Sequence, residues 1–513
     1  MTDLFHHDWV KAHARHRPAH MAIVDLETRA GRSYLDLDRR VDNIAGFLWE
    51  TMQIGVDDRV AVIAPNSLIQ VELMLALGRA GAIFMPMNWR LTAPEIGRIL
   101  GHADPKLIFY APEFGAIADE LVQLLPDCRF EPLGEADPVG RAAEQGAPIG
   151  KPARRVHGDI QTIMYTSGTT GFPKGVLLTF GMTVWNAVNL GIPVRITPDT
   201  VFLSVMPMFH TAGLNCYANP VLHAGGTIIL GRGFDAEAVL TALSDRSLGI
   251  THFFGVPSAY QFMAQHPAFA GADFSGLAFI GVGGAPLPNA VFDAWTAKGV
   301  SVVNGFGMTE TGPAVTMLSP EDSGAHGTSI GKPLLHVETR IVTDGGDDAV
   351  DGEAGELWVR GPAVTPGYWQ APDATVQAFS DGWLRTGDVV WRDAEGFLHI
   401  LDRIKDMYIS GGENVYPAEV ENILYQLDGV AEVAVVGIAD DRWGETGFAA
   451  IVARDGHALS EADVRSHCQR SLARFKHPKV IHFLPALPRT ASGKVQKTEL
   501  RDLATSIGEA VPS

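Results

Sequence analysis

Between residues 20 and 300 the chain alternates short, apolar, β-branched runs with stretches of helical periodicity, and this limits the fold more than any other feature. Ala22-Ile23-Val24 and residues 59–64 and 82–87 have the texture of buried strands. Between them, Leu37, Val41, Ile44 and Leu48 fall on one helical face, as do Ile69, Leu73 and Leu77, with Asn66 and Ser67 placed as helix caps. Further strands are expected at 201–205, 226–230, 251–257 and 279–286. Such alternation predicts a largely parallel sheet with both faces covered, an α/β architecture.

After about residue 335 the texture changes. Runs such as Gly355-Glu356-Leu357-Trp358-Val359-Arg360-Gly361 alternate with period two and predict an antiparallel β subdomain. A strand from Phe397 closes in the charged turn Asp402-Arg403-Ile404-Lys405-Asp406. Beyond it a helix near 417–421, strands at 433–436 and 448–452, a helix over roughly 460–473 and a basic tail segment carrying Lys494 predict a small α+β unit. The expected division is a large domain over 1–402, a hinge at 403–406 and a small mobile domain over 407–513.

With 513 residues, 46% of them hydrophobic, the chain can bury several packed units. A formal charge of −19 argues against a nucleic-acid backbone or an anionic lipid surface as main partner, since both demand basic surface. Cys128, Cys216 and Cys468 are widely spaced, so neither a disulfide framework nor a structural zinc site is expected. The first residues are acidic and histidine-bearing, unlike a secretory signal. The longest apolar stretch, 71–87, is broken by Glu72, Arg79 and Pro86, which predicts no membrane-spanning helix. The expectation is a soluble, cytoplasmic protein; a homodimer is left open.

The run Tyr165-Thr166-Ser167-Gly168-Thr169-Thr170-Gly171-Phe172-Pro173-Lys174-Gly175 concentrates hydroxyls, glycines and one lysine between two β-type segments. Glycines let backbone N–H groups approach an anion, hydroxyls donate to it and the lysine adds charge. It is not a Walker A loop, in which Gly-Lys is followed by Ser or Thr; on composition alone a polar surface loop fits equally well. Gly281-Val282-Gly283-Gly284 lacks the dinucleotide fingerprint spacing and reads as a tight turn.

The run at 165–175 is followed in order by Pro207-Met208-Phe209-His210, Asn304-Gly305-Phe306-Gly307-Met308-Thr309-Glu310, Leu384-Arg385-Thr386-Gly387-Asp388, the turn at 402–406 continuing to Asn414, and Pro488-Arg489-Thr490-Ala491-Ser492-Gly493-Lys494. In this order they resemble the adenylate-forming superfamily of acyl-coenzyme A synthetases, luciferases and peptide-synthetase adenylation domains, over residues from about 20 to 500. The resemblance implies a ligase that uses ATP, Mg²⁺ and coenzyme A. A carboxylate attacks the α-phosphate, pyrophosphate leaves, and a thiol then takes the acyl group from the adenylate.

The resemblance also implies roles. Thr166, Ser167, Gly168, Thr169, Thr170, Gly171 and Lys174 would hold the β- and γ-phosphates. Glu310, with Thr170, would bind Mg²⁺, and Thr309 would contact the α-phosphate. Asp388 would take the ribose hydroxyls with help from Arg403. Gly284, Ala285 and Pro286 would line one adenine face and Phe306 the other, with Asn304 at its amino edge; many relatives carry tyrosine at the Phe306 position. Lys494 would bridge substrate carboxylate and α-phosphate. Lys405 falls at the hinge, about which the small domain would rotate, bringing Gly411, Gly412 and Glu413 in to form a thiol tunnel. Coenzyme A contacts are expected from Arg90, Trp443, Phe475, Lys476 and Lys479, with His477 standing where some aryl ligases have arginine.

The acyl pocket implied by the resemblance has His210 at its entrance and walls of Trp185, Thr211, Phe254, Val282, Gly305, Gly307, Pro313 and Ala314. This apolar list, with glycines that leave depth, favours a medium- or long-chain fatty acid, followed by an aryl acid such as coumarate, ferulate or benzoate. It provides no partner for a second carboxylate. Coenzyme A is favoured as the thiol; a stand-alone adenylation enzyme loading a carrier protein is the alternative.

Overall fold

The computed structural model describes residues 3–166, 173–285, 287–327, 329–410, 413–440, 443–490 and 493–510. Among them four sheets form. The first runs in the order 332–333, 314–317, 302–307, 279–283, 252–255, 201–204, 227–230, 21–25 and 31–33, and its six central strands pair in parallel. The second contains 129–132, 107–110, 59–63, 83–86, 160–166 and 174–179, again parallel except for its last hairpin. The expected α/β architecture is therefore present, with helices packed between and around the two sheets.

Helix Leu68–Ala80 illustrates how local chemistry sets the elements. The Ser67 side chain accepts from the Gln70 amide at the start, and Gly81, at φ +85°, ends it. Its sides are buried, so Arg79 and Glu72 need partners. Arg79 reaches Asp8, Asp38 and Asp42, and Glu72 receives Arg40 at 2.6 Å and Arg32 at 3.0 Å. These pairs satisfy charges that would otherwise be costly to bury, and they fix helix Tyr34–Glu50 against its neighbour. Asn66, expected as a cap, does something else. Its amide donates to the carbonyls of Met206 and Gly231 and its oxygen accepts from the Met208 amide.

The third sheet is antiparallel, built from Glu338–Val342, Gly355–Arg360, Trp383–Arg392, Leu398–Arg403 and the short Phe379–Ser380. The fourth is formed by Tyr408–Ser410, Glu413–Val415, Val430–Asp440, Gly444–Ala453 and Pro478–Phe483. Helices Pro417–Tyr425 and Glu461–Ser471 pack beside it, the latter capped by Ser460. The expected tail instead continues past Lys494 as helix Lys497–Ala510, whose Leu500 and Ala504 are buried against Ala434, Val436 and Phe448. Among the described residues no helix is long and apolar enough to cross a membrane.

Candidate active site

Four parallel strands of the first sheet end side by side: Val201–Ser204, His252–Gly255, Phe279–Gly283 and Val302–Gly307. In an open parallel sheet the carboxyl edge is where ligands bind, because chain leaving each strand there is free to shape a crevice. Here these exits deliver His210, Val256, Gly284 and the Thr309–Thr311 turn to one cleft. Gly284 has φ +88°, a left-handed turn that suits glycine, and a Cβ placed on it would lie 3.8 Å from Cε of Lys494.

The polar hairpin closes one side. The strands are longer than the sequence implied: the first runs on to Thr166 and the second begins at Lys174, with Thr166 paired to Lys174 and Tyr165 to Gly175. Its tip, including Ser167, Gly168, Thr169, Thr170 and Gly171, lies outside the described residues, as do Pro286, Gly411 and Gly412. Segment 365–369 ties this hairpin to Glu310. The Thr365 amide donates to the Glu310 carbonyl at 2.7 Å, the Thr365 hydroxyl to the Leu177 carbonyl at 2.7 Å, and the Trp369 amide to the Gly175 carbonyl at 2.7 Å. Between them stands Tyr368. Its hydroxyl donates to Oε1 of Glu310 at 2.9 Å, and Nζ of Lys174 lies 5.1 Å from its ring centroid. Tyr368 was not singled out in the sequence; a tyrosine in a Pro-Gly-Tyr-Trp turn carries no periodic signal.

Glu310 is buried, and loss of water pushes its carboxyl above the usual range, with the Tyr368 hydroxyl, Arg403 and Lys174 opposing. On the third sheet Asp388 pairs with Arg403, and Arg403 Nε donates to Oδ1 at 2.9 Å. Burial likewise raises the Asp388 carboxyl while Arg403 holds it down. Its Oδ2 is buried with no partner, an acceptor open to a ligand hydroxyl. Lys494 completes the group. Its side chain keeps access to water, yet desolvation and then repulsion from Arg403 lower its ammonium pKa, while Asp388 and Glu310 attract it. The structure thus brings Glu310, Asp388, Arg403 and Lys494 into one electrostatic cluster, with Gly284 against the Lys494 side chain and Lys405 beside it in the exposed turn. Asn304 is buried on the strand that leads to Thr309, and Phe306 is half-buried against the third sheet.

One buried carboxylate beside ligand phosphates is a donor set that suits Mg²⁺, which prefers a few protein oxygens plus phosphate and water. Glu310 fits that requirement. Among the described residues no group of three or more His, Cys, Asp or Glu could hold a metal by itself.

At the other end of the cleft, burial first, then Lys494 and Arg90, lower the His210 imidazole to about 4, so it is neutral near pH 7. Its Nε2 and the Thr211 hydroxyl are buried without partners. Asn66 fixes the turn that presents both. Helix Phe180–Gly191 supplies Trp185, and its Asn186 side chain accepts from the Ala314 amide and donates to the Asn215 carbonyl, holding Pro313-Ala314 and the residue-211 turn against it.

The expected depth above the glycines is absent. Phe254 is paired in register with Gly281 and lies along the strip: Cβ atoms on Gly281 and Gly283 would meet its ring at 3.3 and 3.5 Å. A Cβ on Gly281 would also strike the Tyr217 hydroxyl at 2.8 Å, and one on Gly305 would meet the Met317 side chain at 3.1 Å. The space vacated by glycine side chains is therefore filled by Phe254, Tyr217 and Met317. Gly307 packs on backbone, a Cβ there falling 1.7 Å from the Pro313 carbonyl oxygen. Val282 alternates to the opposite face of its strand from Gly281 and Gly283, and so is not brought together with Phe254. The Tyr217 hydroxyl is buried with no partner.

The residues expected at coenzyme A are engaged within the chain. Lys476 binds both oxygens of Glu419 at 2.6 and 2.7 Å, and Lys479 binds Asp440, whose other oxygen accepts from the Trp443 amide. His477 Nε2 lies 3.0 Å from the Leu472 carbonyl, and Phe475 packs on the small core. The Arg90 guanidinium lies 4.8 Å from the Trp89 ring centroid and 6.0 Å from that of Phe209. Glu413 is exposed on its short strand.

Residues 10–369 match the family described as AMP-binding enzyme, and residues 419–494 match the AMP-binding enzyme C-terminal domain. A feruloyl-CoA synthase of Amycolatopsis is 39% identical over 91% of this chain and 93% of its own length. A long-chain-fatty-acid–CoA ligase, FadD13 of Mycobacterium tuberculosis, is 35% identical over 94% of this chain and 95% of its own. Among solved structures, ATP-bound MatB of Rhodopseudomonas palustris superposes with a TM-score of 0.89 at 32% identity, covering 98% of this chain and 99% of that one.

Proposed function

The chain belongs to the AMP-binding enzyme family and is an acid–thiol ligase that forms acyl-coenzyme A through an adenylate, and we propose that its acid is a flat aromatic one, an arylpropenoate or benzoate, rather than a long alkyl chain. The observation that carries this reading is the covered glycine strip. Phe254, Tyr217 and Met317 occupy the space above Gly281, Gly283 and Gly305, which supports a shallow acyl slot bordered by aromatic rings. The buried, unpartnered hydroxyls of Thr211 and Tyr217 support it too. A saturated chain beside them would leave both unpaired, whereas polar ring substituents can satisfy them.

In this reading the acid's carboxylate attacks the α-phosphate of ATP, an acyl-oxygen–phosphorus bond forms and pyrophosphate leaves. Coenzyme A then attacks the acyl carbon through sulfur, AMP departs and the thiol proton passes to water. Asp388 Oδ2 accepts from ribose hydroxyls, Lys174 and the hairpin tip hold the departing phosphates, and Phe306, Gly284 and Asn304 frame the adenine. Glu310, oriented by Tyr368, would hold Mg²⁺, which when bound would neutralise phosphate charge. Thr309 contacts the α-phosphate. Lys494 aligns carboxylate and phosphate, so that orientation and charge stabilisation carry the acceleration. Neutral His210 orients the acid's carboxylate through Nε2; a carboxylate nucleophile needs no base. Rotation of the unit 407–513 about residues 403–406 then withdraws Lys494 and admits the thiol.

Acid-dependent exchange of pyrophosphate into ATP, measured over aryl acids and C8–C16 fatty acids, tests the reading. Arylpropenoates or benzoates should exceed the fatty acids by about tenfold or more in kcat/KM, the scale on which pocket shape discriminates. Higher efficiency with any of the fatty acids overturns the substrate assignment.

A further inference from the structure

One hydrogen bond across the two domains leads directly to the catalytic lysine loop. Helix Pro257–Gln265 begins where Val256 leaves its strand and presents Ser258 and Gln261, three residues apart and so on one face, to the small domain. At its start, a Cβ on Gly493 would lie 3.0 Å from the Ser258 hydroxyl. One turn on, the Gln261 amide donates to the carbonyl of Ala431 at 2.6 Å, and Gln261 is 6% exposed.

Ala431 is no ordinary strand residue. Val430 pairs with Ala453 and Glu432 with Val452, so the ladder between the two long strands skips Ala431. A bulge of this kind turns one peptide out of the ladder and leaves its carbonyl open to another donor. The next residue, Glu432, receives Nη2 of Arg489 at 3.0 Å, and Nη1 of the same guanidinium donates to the Gly493 carbonyl at 2.7 Å. Gly493 immediately precedes Lys494. The loop is closed further by the Lys494 amide on the Thr490 hydroxyl, at 3.1 Å.

We propose that Gln261 is a positioning residue for adenylation: through the bulged carbonyl of Ala431 and the Glu432–Arg489 bridge it holds the Lys494 loop over the cleft, and it releases the loop when the small domain turns. The contact lies between the domains, so the rotation described above must break it. Gln261 therefore favours one arrangement and serves one half-reaction. This inference rests on that rotation.

The test separates the half-reactions in the intact enzyme. Gln261→Met keeps the length and packing of the side chain and removes the donor; Glu432→Gln breaks the bridge while keeping its shape. Adenylation is read by pyrophosphate exchange, and thioester formation by adding coenzyme A to supplied acyl-adenylate, with Lys494→Ala run alongside. Gln261→Met is expected to slow exchange about tenfold, the equivalent of one hydrogen bond, and to leave thioester formation within about twofold. Glu432→Gln should shift the rates in the same sense. If Lys494→Ala separates the two half-reactions and Gln261→Met slows both equally or neither, the latch is refuted and the rotation stands. If Lys494→Ala itself slows both equally, the rotation falls and the latch with it.

Discussion

Arg403 donates through Nε to Oδ1 of Asp388 at 2.9 Å from a paired position on the neighbouring strand, and Oδ2 of the same carboxylate is buried without a partner. One oxygen is thus held by the protein, and the other is the one to which the proposed function gives the ribose hydroxyls. The arginine also supplies the charge that keeps a buried carboxylate useful as an acceptor, against the desolvation that raises its pKa.

Asp388→Asn should therefore weaken nucleotide binding much more than it weakens the fold. Loss of a charge-assisted acceptor corresponds to about 1.5–3 kcal/mol, or roughly a 10- to 100-fold rise in the KM for ATP. Initial rates against ATP concentration check this, and an unchanged KM would contradict it.

Tyr368→Phe keeps the ring under Lys174 and removes the hydroxyl on Glu310. A buried carboxylate left without its donor costs about 1–3 kcal/mol, so pyrophosphate exchange at saturating acid should fall by roughly 5- to 100-fold. A wild-type rate from the phenylalanine variant would show that Glu310 is held in place by other contacts.

The pH dependence has a definite sign. His210 has a folded pKa of about 4 against 6.5 for a free imidazole, so between these values the unfolded chain binds more protons than the folded one. Its contribution to stability is complete above pH 6.5 and drains away as the pH falls toward 4. His6, also held to about 4 by burial, acts in the same direction. Melting temperature should fall across that window, and His210→Asn should flatten part of the slope. An imidazole NMR titration that placed His210 near 6.5 would contradict the assignment.

Phe254→Ala opens the space above Gly281 and Gly283. Truncating a buried phenylalanine costs about 3–5 kcal/mol of stability, visible in the melting temperature. The freed depth should raise kcat/KM for C8–C12 fatty acids relative to arylpropenoates, reversing the order proposed for the wild type. A variant with its specificity unchanged would mean that Phe254 does not limit the slot.

The sequence made the layers legible because strand and helix periods are local. Ile23, Val62, Phe84 and Phe253 are fully buried where the apolar runs predicted strands, and Ser67 and Ser460 cap the helices that follow them. The order of motifs likewise pointed to Glu310, Asp388, Arg403 and Lys494, which stand together in the structure. What escaped were relationships between distant segments. Asn66 has the chemistry of a cap but spends its amide on residues 206 and 231. Tyr368 matters because a turn some 60 residues after Glu310 folds back onto it. The glycines at 305 and 307 read as depth, since sequence does not tell that the Met317 side chain and the Pro313 carbonyl stand over them. The bulge at Ala431 is invisible in a run of alternating residues whose pairing shifts by one.

The most direct measurement is a one-pot competition. The purified protein is given ATP, Mg²⁺, coenzyme A and equal concentrations of an arylpropenoate, a benzoate and dodecanoate, and the thioesters are quantified by mass spectrometry at low conversion. The proposed shallow slot predicts aryl-coenzyme A as the main product, formed with one AMP per thioester. Dodecanoyl-coenzyme A as the main product would contradict it.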